Sequence, residues 1–155
     1  MARAWITDGH DHDHQHKHDH SHTSEVECLS VTVTSPSDDA GVDLTKLESL
    51  LRSAPKDEVY RIKAVLYANG QPKFADGSAV GVAKGGRSRY ILNWSFGRWT
   101  WSQDDIVEAG APILRMSIFT AQYESTKWTK KIESKQCIAL DGGATDDVLT
   151  VKRVQ

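Results

Sequence analysis

The chain has 155 residues, of which 39% are hydrophobic, and its 19 Lys and Arg nearly balance its 21 Asp and Glu. This length fits one domain with a short additional segment, and the balanced charge gives no field that would attract DNA, RNA or an anionic membrane. The apolar runs are far shorter than the ~20 residues of a membrane span, and no signal-peptide core follows Met1. We therefore expect a cytoplasmic protein that binds neither membrane nor nucleic acid.

Residues 1–25 form a polar first unit, which we expect to be disordered without a ligand. This unit contains all seven histidines of the chain, each separated from the next by one residue. They are His10, His12, His14, His16, His18, His20 and His22. Residues two apart in an extended chain project to the same side, about 6.5–7 Å from each other. Neighbouring imidazoles can therefore chelate one ion, and the interleaved aspartates can hydrogen-bond the second ring nitrogen or add oxygen ligands.

The histidine tract (residues 10–22) predicts a labile metal site. Ordering its ligands costs chain entropy, and many pairings of histidines are nearly equivalent, so we expect moderate, multi-site and fast-exchanging binding. The ligand type favours Cu(II), Ni(II) and Zn(II) without choosing among them, and Co(II) is a further candidate. Protons compete near the imidazole pKa of ~6.5, so the affinity should fall in mild acid. Two other interpretations stay open, namely a solvated linker without a metal role and an engineered affinity tag.

The second unit, residues 26–155, begins with a strand, a helix and another strand. Residues 26–34 are rich in β-branched types, which favours a strand. Asp43 is placed to cap a helix whose leucines recur at helical spacing and which Pro55 ends. Residues 58–68 alternate between two faces, of which the one with Tyr60, Ile62, Ala64, Leu66 and Ala68 is the more apolar and should meet the core.

The middle of this unit predicts a hairpin between two irregular stretches. Residues 69–87 are a long, glycine-rich connection, which is either mobile or functional. Residues 88–102 predict a strand, a turn at Gly97-Arg98 and a returning strand. Residues 103–112 are expected to be irregular.

The last part predicts a strand, a helix and a final strand. Residues 113–124 form the strand, and Ser125 is placed to cap a helix over residues 126–136. Residues 148–154 form the final strand. Consecutive strands joined by turns favour an antiparallel sheet, and two amphipathic helices can cover one of its faces. We therefore predict an α+β fold, a two-layer sandwich with a mainly antiparallel sheet of four to five strands and two helices on one face.

The two cysteines, Cys28 and Cys137, are typical of reduced thiols of which at least one is buried. A disulfide between them is the alternative. A catalytic cysteine is disfavoured because no histidine outside the histidine tract is available to activate it.

The aromatic residues of the predicted hairpin have two interpretations. They are Trp94, Phe96, Trp99 and Trp101. A stacking platform for nucleic acid would need such rings on an exposed surface. Aromatic residues in a hairpin are more typical of the sheet core or of cross-strand pairs, and we favour that interpretation.

The remaining charged groups predict no catalytic site. Asp104-Asp105 and Asp146-Asp147 are each adjacent in a turn-like context, so we interpret them as solvated turn residues. Lys127, Lys130, Lys131 and Lys135 are expected on the outer face of the last helix. No GxxxxGK[ST] phosphate-binding loop occurs in the chain, and we predict that the chain is not an enzyme.

Several segments resemble CobW-type GTP-dependent zinc metallochaperones of fungi. Residues 5–31 resemble the junction between the two domains of that family, where a His/Asp-rich linker precedes a C-terminal α+β domain. Residues 43–67 (DLTKLESLLRSAPKDEVYRIKAVLY), 90–101 (YILNWSFGRWTW) and 115–131 (RMSIFTAQYESTKWTKK) resemble segments of that C-terminal domain. The resemblance covers most of residues 5–135, and the combined order is its specific feature.

This resemblance implies a metal role for the histidine tract and a partner-binding role for a CobW C-terminal-like domain at residues 26–155. The implied partner is a client metalloprotein or a CobW-type GTPase domain. The P-loop, the Cys-x-Cys-Cys metal site and the guanine-reading motif of the family have no match here, so GTP hydrolysis is not implied. The resemblance also implies that the chain is an excerpt of a longer protein or the product of a truncated gene. The competing hypothesis is a protein-interaction module whose tract is incidental.

Overall fold

The computed structural model describes residues 26–83, 85–106, 108–141 and 146–154. These residues form an α+β fold with a six-stranded antiparallel sheet and two helices. The elements are β1 (Val26–Thr34), α1 (Leu44–Ser53), β2 (Val59–Ala68), β3 (Ser88–Ser95), β4 (Arg98–Asp104), β5 (Leu114–Ala121), α2 (Ser125–Glu133) and β6 (Val148–Val154).

The strands lie in the order β4-β3-β2-β5-β1-β6, and every neighbouring pair is antiparallel. The predicted count of four to five strands is therefore too low. The sixth strand is β6, which belongs fully to the sheet because it pairs with β1 from Cys28↔Val154 to Thr34↔Val148.

Two βαβ units interleave to make four adjacent strands of the sheet, in the order β2-β5-β1-β6. In β1-α1-β2 the two strands are separated by β5, and in β5-α2-β6 they are separated by β1. Each unit thus inserts a strand of the other between its own, which is the split βαβ arrangement. The β3-β4 hairpin follows β2 in the chain and extends the sheet on that side.

The core lies between the helices and one face of the sheet. Register partners Leu29, Ile118, Ile62 and Trp94 form a buried row across four strands, each of them 0% exposed. The indole Nε1 of Trp94 donates a hydrogen bond to the carbonyl oxygen of Leu51 in α1, at 2.8 Å. The predicted α+β fold, an antiparallel sheet with two helices, is confirmed.

The predicted cap of α1 is confirmed, whereas that of α2 is wrong. The Asp43 carboxylate accepts a hydrogen bond from the Lys46 amide at 3.1 Å. Ser125 is instead the first residue of α2, which ends at Glu133, and its amide donates to the Glu27 carboxylate of β1. A side chain from a distant strand thus takes the place of a local cap. Neither helix, at 10 and 9 residues, is long and apolar enough to cross a membrane.

Two backbone irregularities shift the predicted pattern by one residue. A bulge between Val59 and Arg61 in the β2–β5 pairing leaves Val59 in the core and Tyr60 only half-buried. The β3–β4 turn is formed by Phe96 and Gly97 rather than by Gly97-Arg98, with φ values of 48° and 82°. Two positive φ values in a two-residue loop match the twist of the flanking strands.

Candidate functional site

The predicted metal ligands, His10 through His22, lie outside the described residues. The metal site therefore stays a prediction. Within the described ranges, no group of three or more His, Cys, Asp or Glu side chains is arranged to hold a metal ion. The folded domain offers a different feature, which is the sheet face opposite the helices.

This face, which we call the open face, carries most of the charge of the strands. Successive strand residues point to opposite faces, so the open face takes the positions that alternate with the buried ones. Its basic residues are Arg61, Lys63, Arg89, Arg98, Arg115 and Lys152. Of the strand residues, all of which the structure describes, Asp104 is the one acidic residue on this face. The open face is therefore strongly basic although the whole chain has a formal net charge of −2.

Three exposed cations lie in adjacent rows of the open face, on β2, β5 and the edge strand β6. The register pairs Lys63 with Ser117, Ser117 with Ser30, and Ser30 with Lys152. These four residues form a row across β2, β5, β1 and β6, and its ends are about 14 Å apart at ~4.8 Å between strands. Arg115 lies two residues before Ser117 on β5, in the next row. A ligand lying across the strands can therefore meet all three cations.

A shallow trough of about 540 Å³ runs over the centre of the open face. Lys63 and Arg115 line it together with hydroxyl and amide side chains from Ser30, Thr32, Asn93 and Ser117. Val65 and Ile91, which are half-buried register partners on β2 and β3, add an apolar part. The trough thus combines positive charge, hydrogen-bonding groups and a small apolar surface.

The acidic residue of the open face is already neutralised by an arginine. Asp104 Oδ2 lies 2.6 Å from Arg89 Nη1, with side chains 27% and 16% exposed. Asp147 likewise pairs with Lys135 at 3.4 Å and its side chain is 6% exposed. The prediction that these two aspartates are solvated is wrong, because folding brings a cation beside each. The other member of each aspartate pair is exposed, as predicted.

A smaller cavity of about 130 Å³ shares Arg115 with the trough and is also lined by Tyr67 and Glu108. The Tyr67 hydroxyl there accepts a hydrogen bond from the Glu108 amide at 3.4 Å. The Arg87 guanidinium lies over the Tyr67 ring, 4.4 Å from its centroid. The aromatic ring of this cavity is therefore covered and is not free to stack on a ligand.

The hairpin tryptophans belong to the core, which confirms the favoured prediction. Trp94, Trp99 and Trp101 are 0%, 7% and 7% exposed. Phe96 differs because it lies in the turn, 52% exposed, with its ring centroid 5.8 Å from that of Tyr60. The hairpin therefore presents no row of exposed aromatic rings.

Both cysteines are free thiols, of which Cys28 is half-buried and Cys137 is buried. Burial raises the pKa of each thiol. Each is therefore protonated at neutral pH, and the thiolate is the form that attacks electrophiles or binds metal. This environment is typical of a structural cysteine.

The lysines predicted on the outer face of the last helix are exposed, as expected. Lys127 pairs with Glu58 of the loop between α1 and β2, and Lys131 lies over the Trp128 ring at 4.5 Å. Lys135 follows the end of α2. Lys127 therefore connects the helix to another part of the fold, whereas Lys131 contacts a residue of its own helix.

No family model matches the chain, and neither a curated protein nor a solved structure matches it. The resemblance to the C-terminal domain of CobW-type proteins thus stays a prediction based on the residues quoted for it. The function proposed below relies on the chemistry of the side chains.

Sequence reasoning separated the two faces of β2 but did not single out Lys63, Arg115 and Lys152 as a group. The available signal was a basic residue at outward positions of the predicted strands. The missing information was the order of the strands, because only that order places β5 beside β2 and β6 beside β1.

Proposed function

We propose that the chain is a cytoplasmic metal-handling auxiliary domain. It collects labile Zn(II), with Ni(II), Cu(II) or Co(II) as alternatives, through the histidines of the tract at residues 10–22. Its α+β domain contacts a partner protein, either a client metalloprotein or a CobW-type GTPase domain. The observation that carries the proposal is the strict alternation of all seven histidines of the chain within one short polar segment.

The chemistry of the tract supports this function directly. A neutral imidazole nitrogen binds zinc at ~2.0–2.1 Å, and a tetrahedral shell needs four ligands. Two neighbouring histidine pairs supply such a shell. Because several pairings are equivalent, an ion can pass from one to the next, which suits acquisition and delivery better than permanent storage.

The proposed role is not enzymatic. The chain has no GxxxxGK[ST] phosphate-binding loop and no histidine outside the tract, and burial raises the pKa of both cysteine thiols. Sustained GTP hydrolysis by the purified chain, above that of a mock preparation, would contradict this part of the proposal.

Isothermal titration with Zn(II) at pH 7.5 and pH 5.5 tests the metal function. Histidines are mostly neutral at the higher pH and mostly protonated at the lower one, given a pKa of ~6.5, so each ligand loses about tenfold in availability. We expect at least a roughly hundredfold loss of affinity when two imidazoles hold the ion. The full chain with all seven histidines changed to asparagine is the matched control and should bind no zinc at either pH. Equal affinity of the unchanged chain at both values would refute ligation by histidine.

The alternative is a protein-interaction module whose tract is an incidental linker or tag. The observation that favours this alternative is the basic open face, which could bind a partner protein without any metal. Co-purification of partner proteins with the unchanged chain and with the seven-histidine variant, each with and without zinc, separates the two functions. Identical partners in all four samples would favour the interaction module. Partners that require both zinc and histidines would support metal delivery.

A further inference from the structure

Three basic residues of the open face form a cluster of like charges that the described part of the chain does not neutralise. Lys63, Arg115 and Lys152 are exposed and form no ion pair with a described residue. Arg115 lies diagonal to Lys63, since Lys63 pairs with Ser117 and Arg115 is two residues away on the same strand. Like charges that are close across strands are destabilising. A ligand that brings negative charge to this face removes that cost.

We propose that the open face binds an acidic, extended polypeptide segment of a partner protein, with its carboxylates on Lys63, Arg115 and Lys152. This inference deepens the partner-contact half of the proposed function and rests on it. An extended segment advances ~3.4 Å per residue, so four residues span about 14 Å. That length equals the separation of Lys63 and Lys152 across three strand spacings of ~4.8 Å. Acidic residues at positions i and i+4 would therefore meet Lys63 and Lys152, the two cations at the ends of the row.

The side chains between the cations favour a polypeptide over a nucleic acid. Ser30 and Ser117 lie between Lys63 and Lys152, and hydroxyl groups can both donate to and accept from a peptide backbone. Single-stranded nucleic acid is held largely by bases stacking on aromatic rings. The central rows of the open face carry none. Phe119 lies toward one end, and Tyr67 at the other end is 4% exposed.

The trough also has room for one apolar side chain of the bound segment. Val65 and Ile91 are half-buried register partners beside Arg115 in the same trough. Burial of an apolar group there adds a contact that simple polyanions cannot make. The expected ligand is therefore an acidic segment with a single aliphatic or aromatic residue among alternating carboxylates.

Fluorescence anisotropy with a labelled dodecapeptide of alternating Glu and Ser, in EDTA, tests the proposal with the full chain. The variant Lys63→Gln/Arg115→Gln/Lys152→Gln removes the cations of the trough and row. The matched control Lys46→Gln/Lys73→Gln/Lys130→Gln makes the same charge change at exposed lysines away from the open face. We expect roughly tenfold weaker binding for the first variant and less than a twofold change for the second. Circular dichroism verifies folding, and Arg115→Gln alone serves if the triple variant does not fold.

Several outcomes would overturn the proposal. A peptide of alternating Gln and Ser that binds equally well, or equal losses for the two triple variants, would exclude recognition of charge at this face. A dodecathymidylate bound more tightly than the peptide, and lost in the first variant, would assign the face to nucleic acid. Dimerisation of the chain that the first variant abolishes would assign it to a second copy. Tighter peptide binding after Asp11→Asn/Asp13→Asn/Asp19→Asn would show that the aspartates of the histidine tract compete with the peptide. The open face would then be assigned to the tract of the same chain.

The design separates this proposal from the metal function. EDTA removes zinc from the peptide measurement, so a failure of zinc binding by the histidine tract leaves the peptide result unchanged. Conversely, the seven-histidine variant should bind the peptide as the unchanged chain does. A loss of peptide binding in that variant would contradict the assignment to the open face.

Discussion

The Glu27 carboxylate accepts a hydrogen bond from the backbone amide of Ser125 at 3.3 Å, although the two residues are 98 positions apart in the chain. Glu27 lies on β1 and is 8% exposed, and Ser125 is the first residue of α2. The same carboxylate pairs with Arg153 of β6. One buried acid therefore connects the start of a helix with two neighbouring strands.

Glu27→Gln should lower the free energy of unfolding by roughly 1–3 kcal/mol at pH 7, because a hydrogen bond to a charged group and an ion pair are both weakened. Burial acts to raise the pKa of Glu27, but the hydrogen bonds from Ser125 and the charge of Arg153 together hold that pKa below its usual value. A lowered pKa in the folded state means that the stabilisation is present above the unfolded pKa of ~4.3 and is lost as the pH falls through the folded value.

Urea unfolding of the unchanged chain and of Glu27→Gln, at pH 7 and pH 3, measures the stability that the Glu27 charge contributes. The difference between them should be large at pH 7 and shrink at pH 3. The exposed Glu133→Gln is the control and should change little at either pH. An equal difference at both pH values would show that the charge of Glu27 is not involved.

Asp43→Ala should destabilise the fold by about 1 kcal/mol. The Asp43 carboxylate accepts a hydrogen bond from the Lys46 amide, in the first turn of α1, at 3.1 Å. Asp43→Asn keeps an accepting oxygen and should cost less. Thermal unfolding of the two variants gives the comparison, with the exposed Thr45→Ala as the control within the same helix. Equal losses for Ala and Asn would indicate that the charge of Asp43 matters more than its hydrogen bond.

Trp101→Phe should cost less stability than Trp94→Phe, although both indoles are buried. Trp94 Nε1 donates to the Leu51 carbonyl oxygen at 2.8 Å, whereas Trp101 Nε1 is buried without a partner among the described residues. Removing a satisfied donor costs roughly 0.5–1.5 kcal/mol beyond the lost packing, and removing an unsatisfied one relieves a desolvation penalty. Chemical unfolding of both variants tests the ranking, and the reverse order would contradict it.

Phe96→Asn should leave the stability unchanged or raise it by up to about 1 kcal/mol, because a bulky residue in the left-handed region costs about that much. Phe96 has a φ of 48°, a conformation that Asn tolerates better than a bulky residue, and Asn-Gly is a favoured two-residue hairpin turn. The lost contact with Tyr60, at 5.8 Å between ring centroids, limits the gain. Gly97→Ala is the opposite test and should destabilise the hairpin, since Gly97 has a φ of 82°. Thermal unfolding of both variants measures these changes, and a lower stability of Phe96→Asn than of Gly97→Ala would contradict the prediction.

Local patterns predicted the elements well where a residue interacts with its neighbours in the chain. The spacing of leucines and the Asp43 cap predicted α1, and alternation predicted the inward face of β2 at Ile62 and Leu66. The bulge beside Val59 was not predictable in the same way. It depends on how β2 aligns with β5, and no local signal in β2 specifies that alignment.

The sequence by itself determined the alternation of the seven histidines in residues 10–22 and, through local patterns, the kinds of elements and their order along the chain. Only the tertiary structure decided which strands lie side by side, and hence that Lys63, Arg115 and Lys152 share one surface and that Glu27 meets Ser125. The physical reason is that propensity and periodicity act over a few residues. Strand order is instead selected by the packing of the whole core and by the connections between its parts.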